Sequence, residues 1–169
     1  MHSASILFRI RCLLVFFMIV LALSGITAFP VYSELRWLMG SGWAPVHTLR
    51  GDWLHKVWEG VSATQQNYPF IFYGFDWLAF AHLVLALLFI GPYRDPVKNK
   101  WVIQWGMLAC LAVIPLALIA GPIRSIPWFH ILVDCSFGLI GLIPLGLTLR
   151  WVRRLETAVA AGNPSRHKL

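Results

Sequence analysis

The chain has 169 residues, of which 59% are hydrophobic and only 12% charged, whereas ordinary soluble domains carry about 25% charged residues. A water-soluble fold of this composition would leave too much apolar surface exposed, so the composition indicates a membrane protein. The net charge of +7 could favour nucleic acid, but lysines and arginines cluster at the ends of apolar runs. We therefore interpret these cations as topology signals and lipid-headgroup contacts, with no nucleic acid as a partner.

The first apolar run covers residues 12–29 and follows Arg9 and Arg11. A basic start before apolar residues also describes a secretory signal peptide. This run is longer than the roughly 7 to 15 apolar residues of such a peptide, and residues 22–24 make only a passable cleavage site. We expect an uncleaved membrane-spanning helix.

The loop over residues 30–69 contains a predicted helix of its own. Asp52 is a suitable N-cap for a helix that extends through Gln66. Within it, apolar residues recur at helical spacing along one face, namely Trp53, Leu54, Val57, Trp58 and Val61. With Trp37 and Trp43 nearby, the pattern predicts an amphipathic helix that rests in the outer headgroup region or caps the bundle.

Three further apolar runs cover residues 70–90, 101–120 and 128–149. A bilayer core about 30 Å thick needs roughly 20 apolar residues at 1.5 Å rise each, so each run is long enough to span it. A Gly-Pro pair follows the second and third runs, at Gly91 and Gly121. Glycine just past a helix end and proline after it are typical helix stops, so we expect both helices to end there.

The distribution of cations predicts the orientation of these spans. Ten of the fourteen lysines and arginines fall on one side of the membrane when alternate loops are compared. The four on the other side are Arg36, Arg50, Lys56 and Arg124. Under the positive-inside rule both termini are cytoplasmic, and the long loop faces outward, into the periplasm if the host is a bacterium.

These patterns together predict an all-α integral membrane protein. The expected fold is a four-transmembrane-helix bundle with an amphipathic helix in the long extracytoplasmic loop. Residues 1–156 would form a single membrane domain, and residues 157–169 a polar, basic cytoplasmic tail. The expected location is a bacterial inner membrane, crossed several times.

Ionisable residues inside the apolar runs are the candidates for a functional site, because each costs a few kcal/mol or more in lipid. Asp76 and Asp134 each lie six residues into an inward-running helix, about 9 Å below the outer edge. His130 lies one turn above Asp134, and Arg124 lies in the preceding turn. The spacing predicts an outward-facing polar cluster of these four residues.

The predicted cluster has two interpretations. Arg124 could form a structural ion pair with Asp134 or Asp76, bridged by His130, that only locks helix ends together. Alternatively the cluster binds a ligand or cation, because two carboxylates at one depth repel each other unless a cation or proton lies between them.

Histidines raise the question of a cofactor. His47 and His55 in the long loop could join His130 and the carboxylates in a site for a divalent metal, although their spacing matches no recognised metal motif. His82 lies near the middle of the second run. The spacing argues against bis-imidazole haem because no second helix histidine lies at its depth, and it favours a structural hydrogen bond.

Three functional classes follow. The protein could bind or transport a small ligand, lipid or cation through an outward-facing polar pocket that includes His82. It could be an accessory subunit that packs on a larger complex, or on its own copies, through Gly138 and Gly141 or through its Trp-rich loop. It could also be an enzyme that uses His130 as a base oriented by Asp134, with or without a metal.

Overall fold

The computed structural model describes residues 3–42 and 47–162. Within these ranges the chain forms α-helices and one 3₁₀ turn, and it contains no strand. The helices are α1 (Ser3–Ala28), α2 (Val31–Gly40), α3 (Leu49–Asn67), α4 (Tyr73–Leu88), α5 (Ile90–Arg94), α6 (Lys100–Ile123) and α7 (Trp128–Gly162), with the 3₁₀ turn at Pro69–Phe72. The all-helical class is therefore confirmed for the described residues.

Four helical segments are long and apolar enough to cross a membrane, as the sequence predicts. They are Ala4–Ala28, Pro69–Arg94, Lys100–Ile123 and Trp128–Ala158. Two of them extend well past the apolar runs, because α1 begins at Ser3 and α7 continues to Gly162. Hydropathy marks the apolar part of a helix, whereas Ala, Arg, Leu and Glu continue the helix beyond it.

The chain divides into two compact units. Unit 1 comprises the described residues of Met1–Val20 and Ala86–Leu169, and unit 2 comprises those of Leu21–Leu85. Helices α1 and α4 therefore each contribute residues to both units, while α6 and α7 belong wholly to unit 1.

Unit 1 is built around α6 and α7, which pack along one another. Its core joins these two helices to the first turns of α1 and to Phe89. The completely or almost completely buried side chains include Ile10, Leu14, Ile103, Leu145 and Val152. Burial of each such side chain stabilises a fold in water by about 1.5–3 kcal/mol. Between helices in lipid, van der Waals packing supplies the stabilisation instead, because lipid tails are as apolar as the side chains.

Two glycines of α7 allow α6 to approach closely. A Cβ at Gly138 would collide with the backbone oxygen of Cys110, and one at Gly141 would lie 2.8 Å from the Cys110 sulfur. These glycines therefore serve the contact with α6 of the same chain, and packing of a partner protein through them remains a prediction.

Helix ends do lie in the two segments that begin with Gly-Pro, at Arg94 and Ile123, but the glycines themselves are still helical. Gly91 lies within α5, and Gly121 lies within α6. Gly121 is needed for packing, since a Cβ there would lie 2.6 Å from the Ile131 side chain. The left-handed residue that ends α6 is Ser125, with φ of 57°, and Ile126 N–H donates to the Gly121 carbonyl across 2.9 Å.

A compact turn connects α5 to α6. The Asn99 side-chain amide donates to the carbonyls of Gly91 at 3.1 Å and Asp95 at 2.9 Å, and Lys98 N–H donates to the Asp95 carboxylate at 3.1 Å. Pro92 is buried beside this turn. The Asp95 carboxylate satisfies the Lys98 N–H, and the two carbonyls also accept from the backbone N–H groups of Asp95 and Asn99, so side-chain and backbone bonds together fix the turn.

Unit 2 contains the loop helices. Helix α3 begins one turn earlier than expected, because Thr48 rather than Asp52 is the N-cap and its hydroxyl accepts a hydrogen bond from Gly51 N–H at 3.1 Å. Asp52 lies in the first turn, where its charge suits the positive helix end. The five apolar residues named for this helix are half-buried, whereas Lys56 and Glu59 are exposed.

The loop also contains α2, a helix that the sequence pattern does not predict. It follows Pro30, and the Tyr32 ring stacks on Trp58 of α3 with ring centroids 5.6 Å apart. Trp43 and the last part of the predicted tail, residues 163–169, lie outside the described residues.

Candidate functional site

The N-terminal end of α7 carries a histidine and a carboxylate one turn apart. Helix α7 begins at Trp128 behind Pro127, and His130 N–H donates to the Pro127 carbonyl at 2.9 Å. The spacing of His130 and Asp134 places both side chains on one helix face, with Nε2 and Oδ1 4.0 Å apart. Their side chains are 44% and 42% exposed.

The contact between His130 and Asp134 is weak. A separation of 4.0 Å is longer than a hydrogen bond between nitrogen and oxygen, and it lies at the limit of an ion pair. Half-exposed pairs of this kind contribute about 1 kcal/mol or less to stability. The Asp134 carboxylate can therefore turn toward a third group without losing a strong contact to His130.

Arg124 lies in the turn between α6 and α7, and its side chain is exposed. Its backbone N–H donates to the Ala120 carbonyl at 3.0 Å. Among the described residues of unit 1, its guanidinium group forms no ion pair with Asp134. The structural ion pair between these two residues is therefore not formed.

Asp76 belongs to unit 2, where it lies in the first turn of α4 and is exposed. A carboxylate in the first turn interacts favourably with the partial positive charge of the helix N-terminus. Because the other three residues of the predicted cluster belong to unit 1, the four-residue cluster remains a prediction.

His82 also belongs to unit 2 and has a hydrogen bond within its own helix. Its Nδ1 lies 2.8 Å from the Leu78 carbonyl oxygen, so Nδ1 carries the hydrogen and donates it. A Cβ at Gly25 of α1 would lie 2.8 Å from the Ala79 carbonyl oxygen and 2.9 Å from the His82 Cβ. His82 therefore lies where these two helices approach closely.

The three histidines named for a metal site divide between the units, since His47 and His55 belong to unit 2 and His130 to unit 1. In the part of the chain that the structure describes, no group of three or more His, Cys, Asp or Glu side chains could hold a metal ion. The three-histidine site remains a prediction. His47 is exposed and has a φ of 64°.

Two buried polar atoms lie on one side of α3, one on His55, which the sequence suggests only as a metal ligand, and one on Ser62, which the sequence pattern does not single out. His55 Nε2 and Ser62 Oγ are both shielded from solvent, and neither has a hydrogen-bond partner among the described residues. The residues are seven apart, which places them on the same side of the helix two turns from each other. That spacing is the signal that could have identified them.

The sequence pattern also does not predict a short ion pair at the other end of unit 1. Lys100 Nζ lies 2.6 and 2.9 Å from the two carboxylate oxygens of Glu156, and both side chains are about one-third exposed. The pair joins the start of α6 to the part of α7 beyond the apolar run. Its sequence signal is weak, because the two residues are 56 positions apart.

Comparison of the chain with protein-family models, with curated proteins and with solved structures finds no match. A functional proposal therefore depends on the geometry of the chain itself.

Proposed function

We propose that this protein spans a bacterial inner membrane four times, with both termini in the cytoplasm, and that the outer end of α7 binds a small ligand through a cationic amine. The four long apolar helices support the membrane part of the proposal. The unequal distribution of lysine and arginine supports the orientation. In this arrangement α3 rests at the outer headgroup level.

The observation that carries the binding proposal is the exposure of Asp134. This carboxylate is 42% exposed on a helix whose neighbouring side chains, Leu132 and Val133, are exposed and apolar. A charged group at a depth of about 9 Å in a membrane is costly unless a partner compensates it. His130 at 4.0 Å is too distant to compensate it strongly.

An ammonium group fits this pair chemically. Its N–H donors can form charge-assisted hydrogen bonds to the Asp134 carboxylate, one turn from the His130 ring on the same helix face. Zinc sites use three or four protein ligands, whereas the described part of this face offers two. An amine, either of a free small molecule or of a lipid headgroup, is thus the ligand class that we favour.

Binding of ethanolamine to the purified protein in nanodiscs would test the proposal by calorimetry. We expect saturable binding that Asp134→Asn weakens about tenfold or more, because the variant removes the charge-assisted hydrogen bond and keeps the shape. Asp52→Asn, which removes an exposed carboxylate of α3, is the matched control and should bind as the wild type does.

Three results would contradict the proposal. They are a wild-type protein that does not bind ethanolamine, equal loss in both variants, and Zn²⁺ binding at the same residues that excludes the amine. Vesicles containing phosphatidylethanolamine distinguish the two sources of the amine, since a headgroup site requires the lipid and a small-molecule site does not.

A role as an accessory subunit is the second candidate, and exposed apolar residues of the loop favour it. Trp37 of α2 is 74% exposed and Leu49 of α3 is 84% exposed. If these residues contact another membrane protein, Trp37→Ser with Leu49→Ser should abolish co-purification of a stoichiometric partner, whereas Asp134→Asn should leave it intact. The opposite pattern would eliminate this candidate.

A further inference from the structure

Helix α7 presents arginines beyond the apolar run. Its last described turns remain helical to Gly162, and Val152 and Leu155 belong to the buried core of unit 1. The arginines at positions 150, 153 and 154 are exposed. Arg150 and Arg154 are four residues apart, so two like charges lie side by side on one helix face, where they repel each other.

Helix α1 adds a third guanidinium group beside them. The guanidinium carbon of Arg9 lies 5.7 Å from the centre of the Trp151 ring. Trp151 immediately follows Arg150 and precedes Arg154 by one turn, so the ring lies between these arginines along the helix. A guanidinium group that contacts an aromatic face keeps the N–H donors at its edge available for an anion.

The described carboxylates at this end of unit 1 are paired with lysines. Glu156 pairs with Lys100, and Asp95 lies 3.8 Å from Lys98. Among the described residues, none of the arginines around Trp151 forms an ion pair with a carboxylate. This surface therefore keeps an uncompensated positive charge.

The position along α7 indicates which anion fits. Trp151 lies 23 residues after Trp128, which is about 34 Å along a helix and matches the bilayer thickness. Ile143 and Leu147, which precede Arg150 on α7 and so lie on its bilayer side, are both exposed and apolar. A phosphate here would have an apolar surface directly beside it, as a phospholipid requires and a free phosphate ion does not.

We propose that Arg9, Arg150 and Arg154 form a site for the phosphate of an anionic phospholipid in the cytoplasmic leaflet, with Trp151 at its centre and the acyl chains against Ile143 and Leu147. The site rests on the membrane insertion and orientation proposed above. Arginine suits it because its planar group can bind phosphate through two parallel hydrogen bonds. Binding also relieves the repulsion between Arg150 and Arg154.

Quenching of Trp151 fluorescence by brominated lipids would test the site. The full chain is placed in phosphatidylcholine vesicles that contain either brominated phosphatidylglycerol or brominated phosphatidylcholine, and the signal of Trp151 is taken as the difference from Trp151→Phe. We expect the anionic lipid to quench at a several-fold lower mole fraction than the zwitterionic lipid, since cations near the surface attract anionic headgroups.

Substitutions distinguish a defined site from general attraction. Arg150→Gln with Arg154→Gln should remove the preference for phosphatidylglycerol, a change of about tenfold in apparent affinity. The matched control, Arg94→Gln with Lys98→Gln, removes two exposed cations at the same end and should change it less than about twofold. Arg150→Lys with Arg154→Lys keeps the charge and should retain only part of the preference.

Several outcomes would overturn the site. They are equal quenching by the two lipids, equal loss in the glutamine variant and its control, and displacement of the lipid by millimolar inorganic phosphate, which would identify free phosphate as the ligand. Extraction of the wild-type chain from membranes by alkaline carbonate would instead refute membrane insertion itself. A chain that resists carbonate but shows no lipid preference would refute the lipid site alone.

Discussion

The two ends of α7, which are its outer and inner ends in the proposed orientation, pair similar groups in different ways. At the inner end Lys100 and Glu156 form two contacts of 2.6 and 2.9 Å across two helices, and Arg9 contacts the Trp151 ring. At the outer end His130 and Asp134 lie 4.0 Å apart on the same helix. The short interhelical pair links α6 to α7, whereas the long intrahelical pair contributes little and leaves the Asp134 carboxylate accessible.

The largest expected effect comes from separating the helices that support both ends. Gly138→Ala should lower the free energy of unfolding by about 1–3 kcal/mol, because the new methyl group collides with the Cys110 backbone, which cannot rotate away. Thermal unfolding in detergent, followed by circular dichroism, measures the change. Gly146→Ala is the control, since its Cβ would meet only the end of Met107 at 4.0 Å. Equal loss in the two variants would contradict the close helix contact.

The inner pair should show the next largest effect. Glu156→Gln should lower the free energy of unfolding by about 1 kcal/mol, because it weakens charge-assisted hydrogen bonds that solvent partly screens. A double-mutant cycle with Lys100→Met should give a coupling of similar size. A coupling near zero would show that the pair does not join α6 to α7 in solution, and the contrast between the two ends would then disappear.

The outer pair should show the smallest effect on stability. Asp134→Asn and His130→Gln should each change the free energy of unfolding by less than about 0.5 kcal/mol, and their coupling should be smaller still. The same unfolding assay measures both values. A loss as large as that of Glu156→Gln would identify the outer pair as structural and would remove the basis of the binding proposal.

The sequence predicts the apolar helices better than their ends. Long apolar runs identify spans because a helix in lipid must satisfy its backbone within itself. Helix ends depend on local partners, as the Thr48 hydroxyl and the left-handed Ser125 show. Gly121 resembles a helix stop in the sequence, and only the position of Ile131 reveals that it serves helix packing.

For the polar residues, the sequence predicts contacts within one helix but not contacts between helices. The spacing of His130 and Asp134 within one helix follows from the helical repeat, so their proximity could be read from the sequence. The ion pair of Lys100 and Glu156 could not, because it depends on how two helices align over 56 residues. Polar residues of different helices therefore stay predictions until helix packing is known.

The close contact between Gly138 and the Cys110 backbone restricts where residues can be inserted into the chain. If the start of α7 keeps its place, one residue inserted between Trp128 and Phe137 would rotate the rest of the helix by about 100° and bring the Phe137 ring to the place where even a methyl group collides. The same insertion in the turn before α7 leaves the helix register intact. Length variation among natural variants of this chain should therefore accumulate in that turn and be absent from the first ten residues of the helix.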